Sequence, residues 1–211
     1  MTAQQPTHQV IPTYTVKKIA FDITSGVLPA FHDDIFVLDS QSAKPRRLVE
    51  GINPVWSPDG EKIAYCTRDK SGMGQIQVIN TNGSGRVQLT NLKGGACLTD
   101  WSPDGKKIVA MAYGTKKPTI FTMDTNGGNI KEITDGYGAR FSPDGKQLVF
   151  CRYPEKGGKN SSIWISNADG TGVTKVIDDG SQVVEAIGSL MEKVLFSVQS
   201  VIIKIDRLFT A

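Results

Sequence analysis

A chain of 211 residues with 39% hydrophobic and 21% charged residues has the composition of an ordinary globular protein, and repeat folds of this length form one unit. Its formal charge of +3, from 24 basic and 21 acidic residues, is too small and too evenly spread for a nucleic-acid footprint. The 22 glycines and 10 prolines exceed what a helical protein tolerates and imply many turns.

The amino-terminal run MTAQQPTHQVIPTYTVKKIA has no apolar stretch behind a basic start, so it does not read as a secretory signal. No apolar run approaches the ~18 residues of a membrane span, which predicts a soluble chain. The expected location is the cytoplasm, with the periplasm as the alternative if a signal has been removed.

Strand-like runs then follow in chain order at 18–21 (KIAF), 34–39 (DIFVLD) and 46–51 (RRLVEG). Trp56-Ser57-Pro58-Asp59-Gly60 opens a motif that returns as Trp101-Ser102-Pro103-Asp104-Gly105 and Phe141-Ser142-Pro143-Asp144-Gly145, at spacings of 45 and 40 residues. Each copy leads into a β-prone run: KIAY at 62–65, KIVA at 107–110 and QLVF at 147–150. A second run follows at 75–80 (QIQVIN), 119–124 (TIFTMD) and 162–167 (SIWISN), each closing on Asp or Asn. Nine residues after that closing residue an apolar side chain recurs, at Leu48, Leu89, Ile133 and Val176. Runs at 193–196 (KVLF) and 201–206 (VIIKID) extend the series to a fifth unit that lacks its fourth strand.

Turn chemistry gives each unit its shape. In Ser-Pro-Asp-Gly the proline presets φ, the aspartate bonds its local backbone and the glycine takes the left-handed position, which makes a tight hairpin between the first and second strands. Asn82-Gly83, Asn126-Gly127 and Asp169-Gly170 reverse the chain between the third and fourth. A four-stranded sheet of about 43 residues cannot bury both faces alone, so units stack, and radial closure leaves only short edges. The sequence therefore predicts an all-β fold, a β-propeller of about five four-stranded blades over residues 10–211. The last blade is incomplete or is closed by the N-terminal segment, residues 1–9. Trp56, Trp101 and Phe141 share one repeat position, where a large ring wedges between blades. Cys66, Cys97 and Cys151 are odd in number and lack CxxC spacing, which argues against disulfides and zinc and reads them as small buried apolar residues. Cys66 and Cys151 are repeat-equivalent and two blades apart, too far to bond to each other.

The pattern carried by Trp56 to Tyr65, Trp101 to Ala110 and Phe141 to Phe150, with Gln88-Leu89-Thr90 as a closing strand, resembles the TolB-type WD-repeat-like β-propeller repeat, a family of periplasmic propellers. Residues 188–192 (GSLME) stand where a fifth Ser-Pro-Asp-Gly would fall. The resemblance implies a propeller that holds other proteins or gates an active site elsewhere.

No catalytic residue, metal site or cofactor is expected. There is no GxSxG elbow, and His8 and His32 are the only histidines. His32-Asp33-Asp34 reads as a solvated loop before a strand. Asp124 to Gly127 and Asn167 to Gly170 lack the length and distal Glu of a calcium loop and read as hairpin turns. The position before each wedge aromatic faces the central channel and reads Ile11, Val55, Asp100, Arg140 and Ala186, with Glu185 one step earlier. Asp100, Arg140 and Glu185 are the candidate ligand- or partner-binding residues at the channel mouth, and pairing between Asp100 and Arg140 is the structural alternative. An unclosed last blade exposes an edge that accepts another strand, so a protein partner or self-association is expected. Two functions fit: a non-catalytic protein-binding scaffold, free or within a larger assembly, or the propeller domain of an enzyme that takes a small polar or glycan ligand in its channel.

Overall fold

The computed structural model describes residues 18–25, 32–39, 44–68, 72–114, 116–154 and 161–177. These residues form strands, turns and no helix. In chain order the strands are β1 (Lys18–Ser25), β2 (His32–Asp39), β3 (Arg46–Glu50), β4 (Ile52–Trp56), β5 (Lys62–Arg68), β6 (Gly74–Asn80), β7 (Val87–Gln88) and β8 (Ala96–Trp101). They continue as β9 (Lys107–Ala112), β10 (Thr119–Asp124), β11 (Lys131–Asp135), β12 (Tyr137–Phe141), β13 (Gln147–Arg152), β14 (Ser162–Asn167) and β15 (Thr174–Ile177).

The strands form antiparallel meanders: β4-β5-β6-β7, β8-β9-β10-β11 and β12-β13-β14-β15 are complete four-stranded blades, and β1-β2-β3 supplies the second to fourth strands of a preceding one. The repeat phase read from the sequence is the observed phase. The fifth unit, the segment 1–9 and the channel positions Ile11, Glu185 and Ala186 lie outside the described residues. One boundary differs: His32, Asp33 and Asp34 are not a loop but the start of β2, paired with Ser25, Thr24 and Ile23 of β1. A polar triplet at a sheet end forms ladder bonds as well as an apolar one, and Asp34 is further held by Arg47 of β3 at 2.6 Å.

The Ser-Pro-Asp-Gly hairpins are the same object three times. Ser57 N–H donates to Lys62 O and Gly60 N–H to Ser57 O, at 2.9 and 2.8 Å. The Ser57 hydroxyl donates to Asp59 Oδ1 at 2.6 Å and accepts the Lys62 N–H at 2.9 Å, while Asp59 Oδ1 takes the Glu61 N–H at 3.0 Å. Ser102 with Asp104 and Ser142 with Asp144 repeat the arrangement. Each turn thus satisfies its own polar groups, and each aspartate carboxyl is held below its ordinary range, first by the serine hydroxyl and then by the backbone N–H.

Apolar residues concentrate between blades. Ile35, Val37 and Val49 of the first blade meet Ile63, Tyr65 and Ile79 of the second. Ile76 and Val78 of the second meet Trp101, Ile108 and Phe121 of the third. Val109 and Ile120 of the third meet Phe141, Leu148 and Phe150 of the fourth. Two of the three wedge aromatics are core, as their repeat position predicts: Trp101 and Phe141 are 6% and 5% exposed, and Trp101 Nε1–H donates to Val55 O of the preceding blade at 3.1 Å, whereas Trp56 is half-buried against the cluster of the first two blades. The turn between third and fourth strands adds a second seam. An ideal Cβ on Gly127, whose φ is +85°, would lie 2.6 Å from Leu89 O of the preceding blade, so only glycine lets the two blades approach.

The cysteine expectation needs correction. All three are buried, but Cys66 in β5 and Cys97 in β8 form a disulfide, with Cα atoms 5.7 Å apart, and Cys151 alone is a free thiol. An odd count does not forbid one bond. The end of β5, the second strand of its blade, lies beside the start of β8, the next blade's innermost strand, where Cys97 sits.

Candidate functional site

The innermost strands β4, β8 and β12 pack side by side, and each carries a register shift just before its wedge aromatic: Ile52/Val55, Cys97/Asp100 and Tyr137/Arg140. Asn53 (φ +54°) and Gly138 (φ +64°) are the left-handed residues within two of these bulges. The bulge re-aims the residue before the aromatic, and in β8 that residue is Asp100. Its carboxylate accepts the Phe141 N–H of β12 at 3.0 Å and lies near the Arg140 guanidinium. Burial pushes the Asp100 carboxyl above its ordinary range, outweighing Arg140 and the Phe141 and Trp101 N–H groups, which pull it down. Asp100 therefore spans two blades, and Arg140 is partly buried beside it.

At one end of the blades lie the Ser-Pro-Asp-Gly and Asn-Gly type turns. At the other lie the loops between second and third strands and the links from one blade to the next. Two of those links are the single residues Gly51 and Gly136. The third, residues 89–95, is longer and is moored by the buried Gln75 side chain. Gln75 Nε2 donates to Leu92 O at 2.9 Å, and Gln75 Oε1 accepts the Thr90 hydroxyl at 2.8 Å and the Leu92 N–H at 3.1 Å.

On this loop face three tyrosines gather. Tyr113 follows β9, Tyr153 follows β13, and Tyr137 opens β12. The rings of Tyr137 and Tyr153 stack at 4.4 Å, and the Tyr137 hydroxyl donates to Ser161 Oγ at 2.8 Å. Burial raises the pKa of Tyr113 and Tyr137, and Tyr153 nearby raises both further. Even so, Tyr113 and Tyr153 stay 44% and 57% exposed, which is high for large rings on rigid strand ends. Arg152 beneath them is fixed: its guanidinium stacks on Trp164 at 4.2 Å, donates to Asp135 O at 3.1 Å, bonds the Thr134 hydroxyl and pairs with the Asp135 carboxylate at 3.0 Å. Lys117 reaches the same carboxylate at 3.4 Å.

The repeat position shared by Asp100 and Arg140 is legible in the sequence, and the structure makes the two neighbours; the tyrosines are less conspicuous. Their signal was present, because Arg68, Tyr113 and Tyr153 occupy one repeat position, seventh in the second-strand run. Among the described residues no group of three or more His, Cys, Asp and Glu side chains is placed to hold a metal ion.

Stacked four-stranded meanders joined through their innermost strands define a β-propeller. The family model for the TolB beta propeller domain matches residues 34–202, and the chain belongs to that family. An uncharacterized protein of Agrobacterium fabrum is 30% identical over 139 residues, 57% of this chain and 47% of that protein, so the chain spans about half the length of that relative. The crystal structure of TolB from Acinetobacter baumannii superposes with a TM-score of 0.67 at 25% identity, over 78% of this chain and 42% of that one. The acylaminoacyl peptidase of Pyrococcus horikoshii shares the fold, with a TM-score of 0.60 at 15% identity over 77% of this chain and 31% of that one.

Proposed function

We propose that this chain is a non-catalytic protein-binding propeller whose loop face receives a protein partner, as a free interaction module or within a larger assembly. The observation that carries the reading is the pair of exposed tyrosines on a rigid face: amphipathic rings held by few rotatable bonds are the preferred anchors of protein interfaces. The likeness to TolB agrees with it. Asp100 and Arg140 are assigned to the joint between the third and fourth blades, with a ligand at the channel mouth as the second role their charges allow.

The expected cytoplasmic location sits poorly with the Cys66–Cys97 bond. A structural disulfide persists in an oxidising compartment, so the periplasmic alternative is the better reading.

The second functional reading, a propeller domain of an enzyme, is favoured by the shared fold of the acylaminoacyl peptidase. A photo-crosslinking residue at Tyr153, with a control at Asp104 on the opposite end, separates the two in cells. Protein adducts from position 153 alone are expected. Equal adducts from both positions, or hydrolysis of acylated peptides by the purified chain, would count against the scaffold.

A further inference from the structure

Resting on the protein-binding reading above, we infer that the loop face of the third and fourth blades is built for an acidic segment of its protein partner. Tyr113 is flanked by cations. Lys116 and Lys117 follow it in the same loop, and both are exposed. Lys93, also exposed, precedes Gly94 in the link between the second and third blades. That link lies against the Tyr113 loop: Tyr113 N–H donates to Gly95 O at 3.0 Å, and a Cβ on Gly94 would meet Tyr113 O at 2.1 Å. Two glycine backbones, Gly94 and Gly114, therefore touch where side chains would otherwise stand.

With Arg152, this sector holds four cations around the tyrosines. Among the described residues, the carboxylate paired with them is Asp135, shared by Lys117 and Arg152. At the opposite end the signs are mixed, with Asp59, Asp104 and Asp144 of the Ser-Pro-Asp-Gly turns standing beside the exposed Lys62, Lys106, Lys107 and Lys146. An approaching acidic chain is thus attracted to the loop face, and the rings supply apolar anchorage once the lysines have steered it.

The test is fluorescence anisotropy on the intact protein, with labelled dodecapeptides of alternating Glu and Leu, matched peptides of alternating Lys and Leu, and a labelled oligogalacturonate. The Glu peptide is expected to bind at least tenfold tighter than the Lys peptide, and to weaken about tenfold from 50 to 300 mM NaCl. Lys93→Glu with Lys116→Glu should cost tenfold or more and remove most of the salt dependence. Tyr113→Ala with Tyr153→Ala should cost about tenfold at both salt concentrations, and Lys106→Glu on the hairpin end should change nothing. Thermal melts confirm that each variant is folded. Equal binding of the two peptides, indifference to the lysine reversal, or binding of the oligogalacturonate but not the Glu peptide would overturn the inference. Protein adducts from position 153 without Glu-peptide binding would overturn only the acidic assignment and leave the scaffold reading standing.

Discussion

At the hairpin end of the blades, every described Ser-Pro-Asp-Gly turn is interchangeable with the next, down to the same serine–aspartate bond of 2.6 Å. At the loop end, among the described residues, the single-glycine links Gly51 and Gly136 repeat, but the third link runs through residues 89–95 and the seventh position of the second-strand run is Arg68, Tyr113 or Tyr153. The first end closes on itself, because each turn consumes its own donors and acceptors. The second leaves rings and ammonium groups facing water. Identity of sequence across repeats therefore marks where the scaffold is made, and divergence marks where a surface is free to be used.

The largest test of that contrast removes the one covalent link at the loop end. Cys66→Ala with Cys97→Ala should lower the unfolding free energy by about 3–4 kcal/mol, as expected for a crosslink that closes a loop of 31 residues. Urea denaturation measures it. Thiol titration of the denatured, unreduced protein should find one reactive group per chain, Cys151, and three would refute the bond.

Next come two glycines of the hairpin end that look alike in sequence. Gly127→Ala forces a methyl against Leu89 O and strains a left-handed backbone, for about 2–3 kcal/mol. Gly60→Ala, at φ +71° with nothing within 4 Å of its Cβ position, costs about 1 kcal/mol of backbone strain alone. Equal losses would show that the turn does not bear on the preceding blade.

The smallest effect is a change of sign with pH. Asp100 has a raised carboxyl pKa, so the folded state holds its proton more tightly than the unfolded chain, and stability is lost as pH rises from the ordinary carboxylate range through the raised value. Asp100→Asn escapes that loss, and its stability relative to the parent should rise between pH 3.5 and pH 7. The aspartates of the hairpins are lowered instead, so Asp104→Asn removes stability that is present above the ordinary range and lost as pH falls through the folded value. Its deficit should shrink on acidification. Urea titrations of both variants at the two pH values decide it, and parallel curves would deny that the two carboxyls sit in opposite environments.

The blades were legible because their determinants are local. Ser-Pro-Asp-Gly and Asn-Gly specify turns through a few adjacent residues, and the alternating runs between them give the strands and their phase. What stayed hidden depends on contacts between blades. Cys66 and Cys97 sit at different repeat positions, and only stacking brings the end of β5 beside the start of β8. The buried Gln75 moors residues 90–92 of the same link through bonds that no pattern of hydrophobicity records. Asp100 was found from the repeat, but its hold on the Phe141 N–H was not, because that bond depends on the bulge in β8.

The Cys66–Cys97 link has a further consequence for how the array comes apart. Blades that touch only their neighbours behave as a line of coupled units, and such a line frays from whichever end is weakest. Joining β5 to β8 fuses the second and third blades into one cooperative block. Amide hydrogens of β5, β6, β9 and β10 should then exchange together and last, and reduction should split that single slow class into two.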